Sequence, residues 1–236
     1  LAYSLSELTD RLSVLPPLTF CRNSQEICRK EMIGDFEEHK DDDSVGKIRP
    51  QKVLWEVRQS MGPSDILLSD VGAHKMWIAR HYQCHEPNTC LISNGFCSMG
   101  FSLPGAISAS LVLKDKRILG IAGDAGFMMN VQEMETARRL NCNIVMMVWE
   151  DKSYGLIEWK QNESFGYHTD LSFGNPDWIQ LAESFGWQGI AVNRASDLSF
   201  NLELAFDTEG PSLLVLPIDY SENQILSRKL EKIASG

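Results

Sequence analysis

The sequence contains no apolar run near the roughly 20 residues that a membrane helix needs, and its start lacks the pattern of a signal peptide. It also lacks an excess of positive charge: 22 Lys and Arg stand against 32 Asp and Glu, giving a net charge of −10. Nucleic-acid affinity depends on basic residues that neutralise phosphates, so we expect neither a nucleic-acid nor a membrane partner. Entry at Leu1 rather than Met suggests an excised fragment or a processed chain.

Paired cysteine motifs are absent as well. The six cysteines form no C-x-x-C motif and occupy positions 21, 28, 84, 90, 97 and 142. His81, Cys84, His85 and Cys90 lie close together in the sequence, but their spacing matches no standard zinc finger. Free thiols in a reducing compartment are the simpler interpretation, and we expect a cytoplasmic protein.

The first 50 residues differ in character from the rest of the chain. A helix over the first turns would end at Pro16 and Pro17, and residues 37–43 are charged without apolar periodicity. We interpret residues 1–50 as a linker or the tail of a preceding central domain, and residues 51–236 as one C-terminal domain.

From residue 51 onward, short β-rich apolar runs alternate with segments of helical period. The predicted strands cover residues 66–69, 90–93, 117–122, 143–149, 189–192 and 212–217. The predicted helices cover residues 53–61, 74–82, 103–113, 131–140, 177–185 and 198–208. This alternation predicts an α/β fold with an open, mostly parallel sheet of about six strands and helices on both faces.

Two helix starts carry residues that are typical of N-caps. Asn130 is followed three residues later by Glu133, which resembles a capping box. Asn175 is followed by Pro176, which suits the first position of a helix. We expect both asparagines to cap the helices that follow them.

The loop after the third predicted strand carries the clearest sign of chemistry. Gly123 and Gly126 allow a ligand to approach the backbone, and the helix start that follows favours an anion. A dinucleotide site would need G-x-G-x-x-G, which this loop lacks. Asp124 would repel a pyrophosphate unless a divalent cation lay between the two. The loop therefore predicts a metal–phosphate site more readily than a nucleotide site of Rossmann type.

A second carboxylate follows the next predicted strand. Asp151 lies 27 residues after Asp124, and neighbouring parallel strands would bring both to one edge of the sheet. Mg²⁺ prefers oxygen ligands, commonly one or two carboxylates together with phosphate oxygens and water. Each aspartate alone could be a solvated strand-end residue, but the pair predicts a Mg²⁺ site.

The order of these motifs resembles the thiamine diphosphate-dependent acetolactate synthase family. The resemblance runs over residues 51–218 and includes segments 70–77, 92–104 and 127–137. Gly123-Asp124-Ala125 through Glu150-Asp151 is similar to the family's cofactor signature, with Ala125 in place of the usual glycine and Glu150 in place of the usual asparagine. Neither departure removes a metal ligand. The resemblance makes residues 51–236 a C-terminal thiamine diphosphate-binding domain.

The resemblance also implies roles for individual residues. Asp124 and Asp151 would bind Mg²⁺ through their side chains, and Ser153 through its carbonyl. Met99 would support the bent cofactor as the catalytic residue of this chain, unless it is an ordinary core methionine. His74 would face the diphosphate or, alternatively, solvent. The full set implied to bind the cofactor is Ala73, His74, Cys97, Met99, Gly123, Asp124, Ala125, Gly126, Asp151, Ser153, Tyr154, Gly155 and Leu156.

The activity implied is decarboxylation of pyruvate and ligation of the two-carbon unit to a second 2-oxo acid. The family's pyrimidine-activating glutamate belongs to a separate domain of a partner subunit, and no segment here resembles that domain. We therefore expect a homodimer or homotetramer, and an inactive chain when it is isolated. Another thiamine diphosphate-dependent decarboxylase or carboligase, or a non-catalytic Rossmann-type module, remains an alternative.

Overall fold

The computed structural model describes residues 2–14 and 22–234, which fall into two compact units, Leu1–Gly34 and Asp35–Gly236. The first unit contains helix α1 (Ala2–Ser13) and most of helix α2 (Arg22–Glu38). The second unit contains the sheet and the helices that cover it.

A six-stranded sheet forms the centre of the second unit. Its strands are β1 (Ile66–Ser69), β2 (Cys90–Ile92), β3 (Ile118–Gly123), β4 (Val145–Glu150), β5 (Gln188–Ala191) and β6 (Ser212–Pro217). Their order is β2-β1-β3-β4-β6-β5, and all five pairings are parallel. The three strands β3, β4 and β6 are apolar runs because a parallel sheet is covered on both faces.

Helices connect the strands and cover the sheet. They are α3 (Pro50–Ser60), α4 (Ala73–His81), α5 (Ser102–Val112), α6 (Asp124–Met128), α7 (Glu133–Arg139), α8 (Gly155–Phe165), α9 (Trp178–Ser184), α10 (Leu198–Asp207) and α11 (Asn223–Ala234). The predicted strands and helices agree with these bounds to within three residues. The predicted α/β class is therefore confirmed, whereas α6, α8 and α11 were not predicted.

The core consists of two apolar layers, one on each face of the sheet. Successive strand residues point to opposite faces, so Met147 and Trp149 enter one layer while Met146 and Val148 enter the other. Helices α3, α4 and α10 bury side chains in the first layer, and α5, α7 and α9 in the second. Helices on both faces are thus confirmed.

The segment before α3 also contacts the sheet. Phe36 and Ile48 are buried in the first core layer. The backbone N–H of Ile48 donates to the carbonyl of Pro217 at 2.9 Å, and its carbonyl accepts from the N–H of Asp219 at 2.8 Å. Residues 35–49 therefore pack as part of the second unit, and a domain boundary at residue 50 stays a prediction.

Both predicted asparagine caps are wrong. Helix α7 has Gln132 at its N-cap, and the Asn130 side chain instead donates to the carbonyl of Gly100 at 2.8 Å. Helix α9 is capped by Asp177, whose carboxylate accepts from the N–H groups of Ile179 and Gln180. Each asparagine side chain serves a contact from another part of the chain, which local spacing does not reveal.

The zinc interpretation of the segment around Cys84 gains no support. Within the described residues, no group of three or more His, Cys, Asp or Glu side chains is arranged to hold a metal ion. His81 is instead stacked between the rings of Phe36 and Trp77. Across that same part of the chain, no helix is both long and apolar enough to cross a membrane.

Candidate cofactor-binding site

A cavity of about 190 Å³ opens at the carboxyl ends of β1, β3 and β4. All thirteen residues predicted to bind the cofactor line it, although their roles in binding stay predictions. The lining residues that the sequence did not single out are Val71, Gly72, Ile157 and Tyr220. The parallel strands bring the loops together because each ends at the same edge of the sheet.

Asp124 occupies the floor of this cavity at the start of α6, where it is almost fully buried. Its Oδ2 accepts hydrogen bonds from the backbone N–H of Lys152 at 2.7 Å and of Asp151 at 3.3 Å. Its Oδ1 accepts a hydrogen bond from the N–H of Ala125 at 2.9 Å. These contacts tie the end of β3 to the loop after β4 and fix the carboxylate in one orientation.

Asp151 stands beside Asp124, as predicted from adjacent strand ends. Burial of its carboxyl and the neighbouring Asp124 carboxylate raise the pKa of Asp151 to about 7. Two ionised carboxylates held this close repel each other, and a divalent cation between them would remove that repulsion. The pair therefore fits a divalent cation such as Mg²⁺, with Ser153 on the same loop.

Gly155 completes the metal end of the cavity. A Cβ at this position would overlap the Asp151 carboxylate, so only a glycine leaves that carboxylate in place. Gly126 has a similar relation to Asp70, whose Oδ1 would lie 3.2 Å from a Cβ there. The glycines of the sequence motif thus keep the carboxylates and the cavity clear of side chains.

His74 is buried, which overturns the alternative that it faces solvent. Burial lowers the pKa of His74 to about 4, so its imidazole is neutral at pH 7. Its Nε2 is buried and has no hydrogen-bond partner among the residues that the structure describes, and its ring meets Trp149 edge-on at 6.3 Å. A neutral imidazole with a free ring nitrogen on the cavity wall is suited to a hydrogen bond with a bound ligand.

The loop with Cys97 and Met99 forms the opposite wall. Met99 is half-buried and lies outside both core layers, so it is not an ordinary core methionine. Cys97 adopts a positive φ of 51°, and its sulfur accepts a hydrogen bond from Nζ of Lys75 at 3.4 Å. Cys97 and Met99 both line the cavity.

Asp70, at the end of β1, anchors that loop. Its Oδ1 accepts from the N–H of Gly100 at 2.9 Å, and its Oδ2 accepts from the N–H and the hydroxyl of Ser102 at 3.0 Å. No individual role was predicted for Asp70 from the sequence. Its place directly after a predicted strand was the available signal, but its partners lie 30 and 32 residues away.

Asn175 and Tyr220 also belong to this site, although neither was predicted there from the sequence. Asn175 donates to Asp124 across 51 residues, although its expected role was a helix cap. Tyr220 follows β6, lines the cavity, and packs its ring 6.4 Å from that of Trp149. Burial and the nearby Asp151 and Asp124 raise the pKa of Tyr220, so its hydroxyl stays protonated.

The family comparison agrees with this geometry. The model of the thiamine pyrophosphate enzyme C-terminal TPP binding domain matches residues 70–216, which is more than half of the chain. The chain belongs to this family. Thiamine diphosphate with Mg²⁺ is therefore its cofactor, and a Rossmann-type dinucleotide module is not favoured.

Acetolactate synthases are among the relatives of this thiamine diphosphate-binding domain. The chain is 33% identical over 216 residues to the acetolactate synthase of Bacillus subtilis, covering 90% of this chain and 38% of the relative. It is 35% identical over 183 residues to the catabolic acetolactate synthase of Raoultella terrigena, covering 78% and 33%. For the isozyme 2 large subunit of Escherichia coli the identity is 34%, covering 68% and 30%. The chain thus spans about a third of the length of these curated relatives.

Proposed function

We propose that the intact protein is a thiamine diphosphate- and Mg²⁺-dependent acetolactate synthase, which decarboxylates pyruvate and ligates the two-carbon unit to a second 2-oxo acid. In this proposal the chain holds the diphosphate end of the cofactor. The observation that carries it is the Asp124–Asp151 pair at the ends of adjacent parallel strands, in a domain whose relatives include acetolactate synthases.

Three residues would bind the metal at one end of the cavity. The side chains of Asp124 and Asp151 and the carbonyl of Ser153 would ligate Mg²⁺, which would in turn hold the diphosphate. The residues that would contact the diphosphate all line the cavity, which supports this assignment. They are Ala73, His74, Gly123, Ala125, Gly126 and Gly155. His74 would contribute its unpaired ring nitrogen.

The other end of the cavity is more apolar. Met99 and Leu156 would pack against the rings of the cofactor, with Tyr154 beside them. The N–H of Met99 and the carbonyl of Cys97 would bond the pyrimidine. When bound, thiamine diphosphate supplies the nucleophilic carbon, while these residues supply position and exclude water.

The partners of the intact protein follow from the same proposal. The pyrimidine-binding domain of a partner subunit would close the cavity and bring the activating glutamate, within a homodimer or homotetramer. We propose a cytoplasmic location, supported by the free thiols of Cys84, Cys90, Cys97 and Cys142. The net charge of −10 supports the absence of a nucleic-acid partner.

The test uses Asp124→Ala and Asp151→Ala in the intact protein. Each variant should lose Mg²⁺-dependent binding of thiamine diphosphate, measured by calorimetry with circular dichroism as the check of the fold. Asp115→Ala, an exposed aspartate before β3 at the opposite edge of the sheet, is the matched control and should bind normally. Unchanged cofactor affinity in either folded variant would rule out the metal assignment.

A further inference from the structure

The amide of Asn175 joins two carboxylates at the metal end of the cavity. Its Nδ2 donates one hydrogen bond to Oδ2 of Asp124 at 2.8 Å and one to Oε1 of Glu150 at 2.9 Å. Its own carbonyl oxygen is buried and has no hydrogen-bond partner in the described part of the chain. Two carboxylate acceptors require the NH₂ group on this side, so the orientation of the amide is decided by its partners.

The environment of Glu150 supports the same arrangement. Oε1 of Glu150 also accepts from Nε1 of Trp178 at 3.2 Å. Both donors come from the segment that starts α9, so this segment holds the Glu150 carboxylate beside the amide. Removing the amide would take away the donor that joins the carboxylates of Glu150 and Asp124, while Nζ of Lys152 stays 3.9 Å from Oε1 of Glu150.

The hydrogen bonds of Asp124 are divided unequally between its oxygens. Among the described residues, Oδ2 accepts from Asn175, Lys152 and Asp151, which uses its capacity, whereas Oδ1 accepts one hydrogen bond, from Ala125. An oxygen with one hydrogen bond keeps a lone pair for a cation. Asn175 therefore helps to decide which oxygen of Asp124 is available to a metal.

We propose that Asn175 is a positioning residue for the metal site, which acts through Asp124 and separates it from Glu150. The inference rests on the proposed function, because the metal is the Mg²⁺ of thiamine diphosphate. A helix-capping role does not explain the contacts, since Asp177 caps α9. Asn175 does not ligate the metal, so its loss weakens Mg²⁺ binding and leaves the ligands in place.

The test is the Mg²⁺ concentration needed for half-maximal binding of thiamine diphosphate by the intact protein, measured by calorimetry. Asn175→Ala should raise that concentration about 10- to 100-fold, the usual cost of removing a residue that orients a metal ligand. Asn175→Leu keeps the volume without the donors and should behave like the alanine variant. Full binding should return in both variants at saturating Mg²⁺.

Two further variants distinguish an effect of the Asn175 hydrogen bonds on Asp124 and Glu150 from a general effect on the fold. Asp177→Ala removes the cap of α9 without touching Asp124, and it should leave the Mg²⁺ requirement unchanged. Glu150→Gln combined with Asn175→Ala, measured beside Glu150→Gln alone, removes one of the two charges that the amide joins and should recover part of the lost Mg²⁺ affinity. If either Asn175 variant unfolds, the other variant and this double variant decide.

Three results would overturn the inference while leaving the proposed function intact. They are a wild-type Mg²⁺ requirement in Asn175→Leu, an effect in Asp177→Ala as large as that of Asn175→Ala, and strictly additive effects of the Glu150 and Asn175 changes. Failure of the wild-type protein to bind thiamine diphosphate with Mg²⁺ would instead reject the proposed function itself.

Discussion

At the scale of single residues, the space for the Asp151 carboxylate at the metal end of the cavity depends on Gly155, which has no side chain. Gly155 begins α8 with no positive φ, so its backbone accepts an alanine, yet the added Cβ would overlap the Asp151 carboxylate. We predict that Gly155→Ala loses at least tenfold in Mg²⁺-dependent affinity for thiamine diphosphate. The free energy of unfolding should change by no more than about 1 kcal/mol, since alanine favours a helix over glycine.

Calorimetric titration and urea unfolding of the same preparation measure both quantities. Gly34→Ala is the control, because a Cβ at that helical position would meet nothing within 4 Å. Normal cofactor affinity in Gly155→Ala would show that the Asp151 carboxylate is not held in the place that binding requires.

At the scale of elements, His81 joins the end of α4 to the end of α2. Its ring is stacked between Trp77 at 5.3 Å and Phe36 at 5.6 Å, with Nε2 3.7 Å from the Asp35 carboxylate. Burial lowers the pKa of His81 to about 4. The Asp35 carboxylate raises this pKa by less than burial lowers it, and the charge of Arg80 lowers it further. The contact between the two helices is therefore made by a neutral imidazole.

The pH dependence of stability follows from this pKa. The unfolded chain takes up a proton at its ordinary pKa of about 6.5, whereas the folded chain does so only near 4. Stability from His81 is complete above pH 6.5 and is lost as pH falls toward 4, by on the order of 3 kcal/mol. We predict that His81→Phe flattens the pH dependence of the unfolding free energy by about 1.4 kcal/mol per pH unit in this window.

Urea unfolding at pH 7, 6 and 5 measures that slope. Burial also lowers the pKa of His74 to about 4. Because His74 titrates in the wild-type protein and in His81→Phe alike, the difference between their slopes isolates the contribution of His81. Equal slopes in the two proteins would mean that His81 is protonated in the fold.

At the scale of the whole molecule, the chain spans about a third of the length of its relatives. The acidic residues that line its cavity lie at one end. Asp124 and Asp151 are the acidic residues among those that line it, and both lie at the metal end. We predict that the 236-residue chain, on its own, forms no acetolactate from pyruvate with Mg²⁺ and cofactor. Proton transfer at the pyrimidine needs a positioned carboxylate, and the described residues that line the cavity place none away from its metal end.

A discontinuous assay of acetolactate checks this prediction, with cofactor binding measured on the same sample as proof of a formed site. Robust turnover would show that an acidic residue within the chain performs the proton transfer. Turnover that appears only after the pyrimidine-binding domain is supplied would support a composite site.

What local sequence determined is the alternation of strands and helices and the Asp124–Asp151 pair. Side chains of a strand alternate between faces and those of a helix repeat every 3.6 residues, so burial leaves a pattern that can be read along the chain. Helix α8 was not predicted because it begins with Gly155 and Trp159 is its one buried residue, so its sequence shows no apolar repeat of helical period. Helix α6 has five residues, too few to show a period.

Only the tertiary structure decided the roles of Asn175, Asp70 and Tyr220. The sequence places Asn175 before Pro176 and predicts a cap, but its amide reaches Asp124 and Glu150 instead, 51 and 25 residues away. Asp70 likewise holds a loop 30 residues further along the chain. A hydrogen bond depends on which loops meet at the sheet edge, and that meeting follows from the strand order, in which β3 lies between β1 and β4.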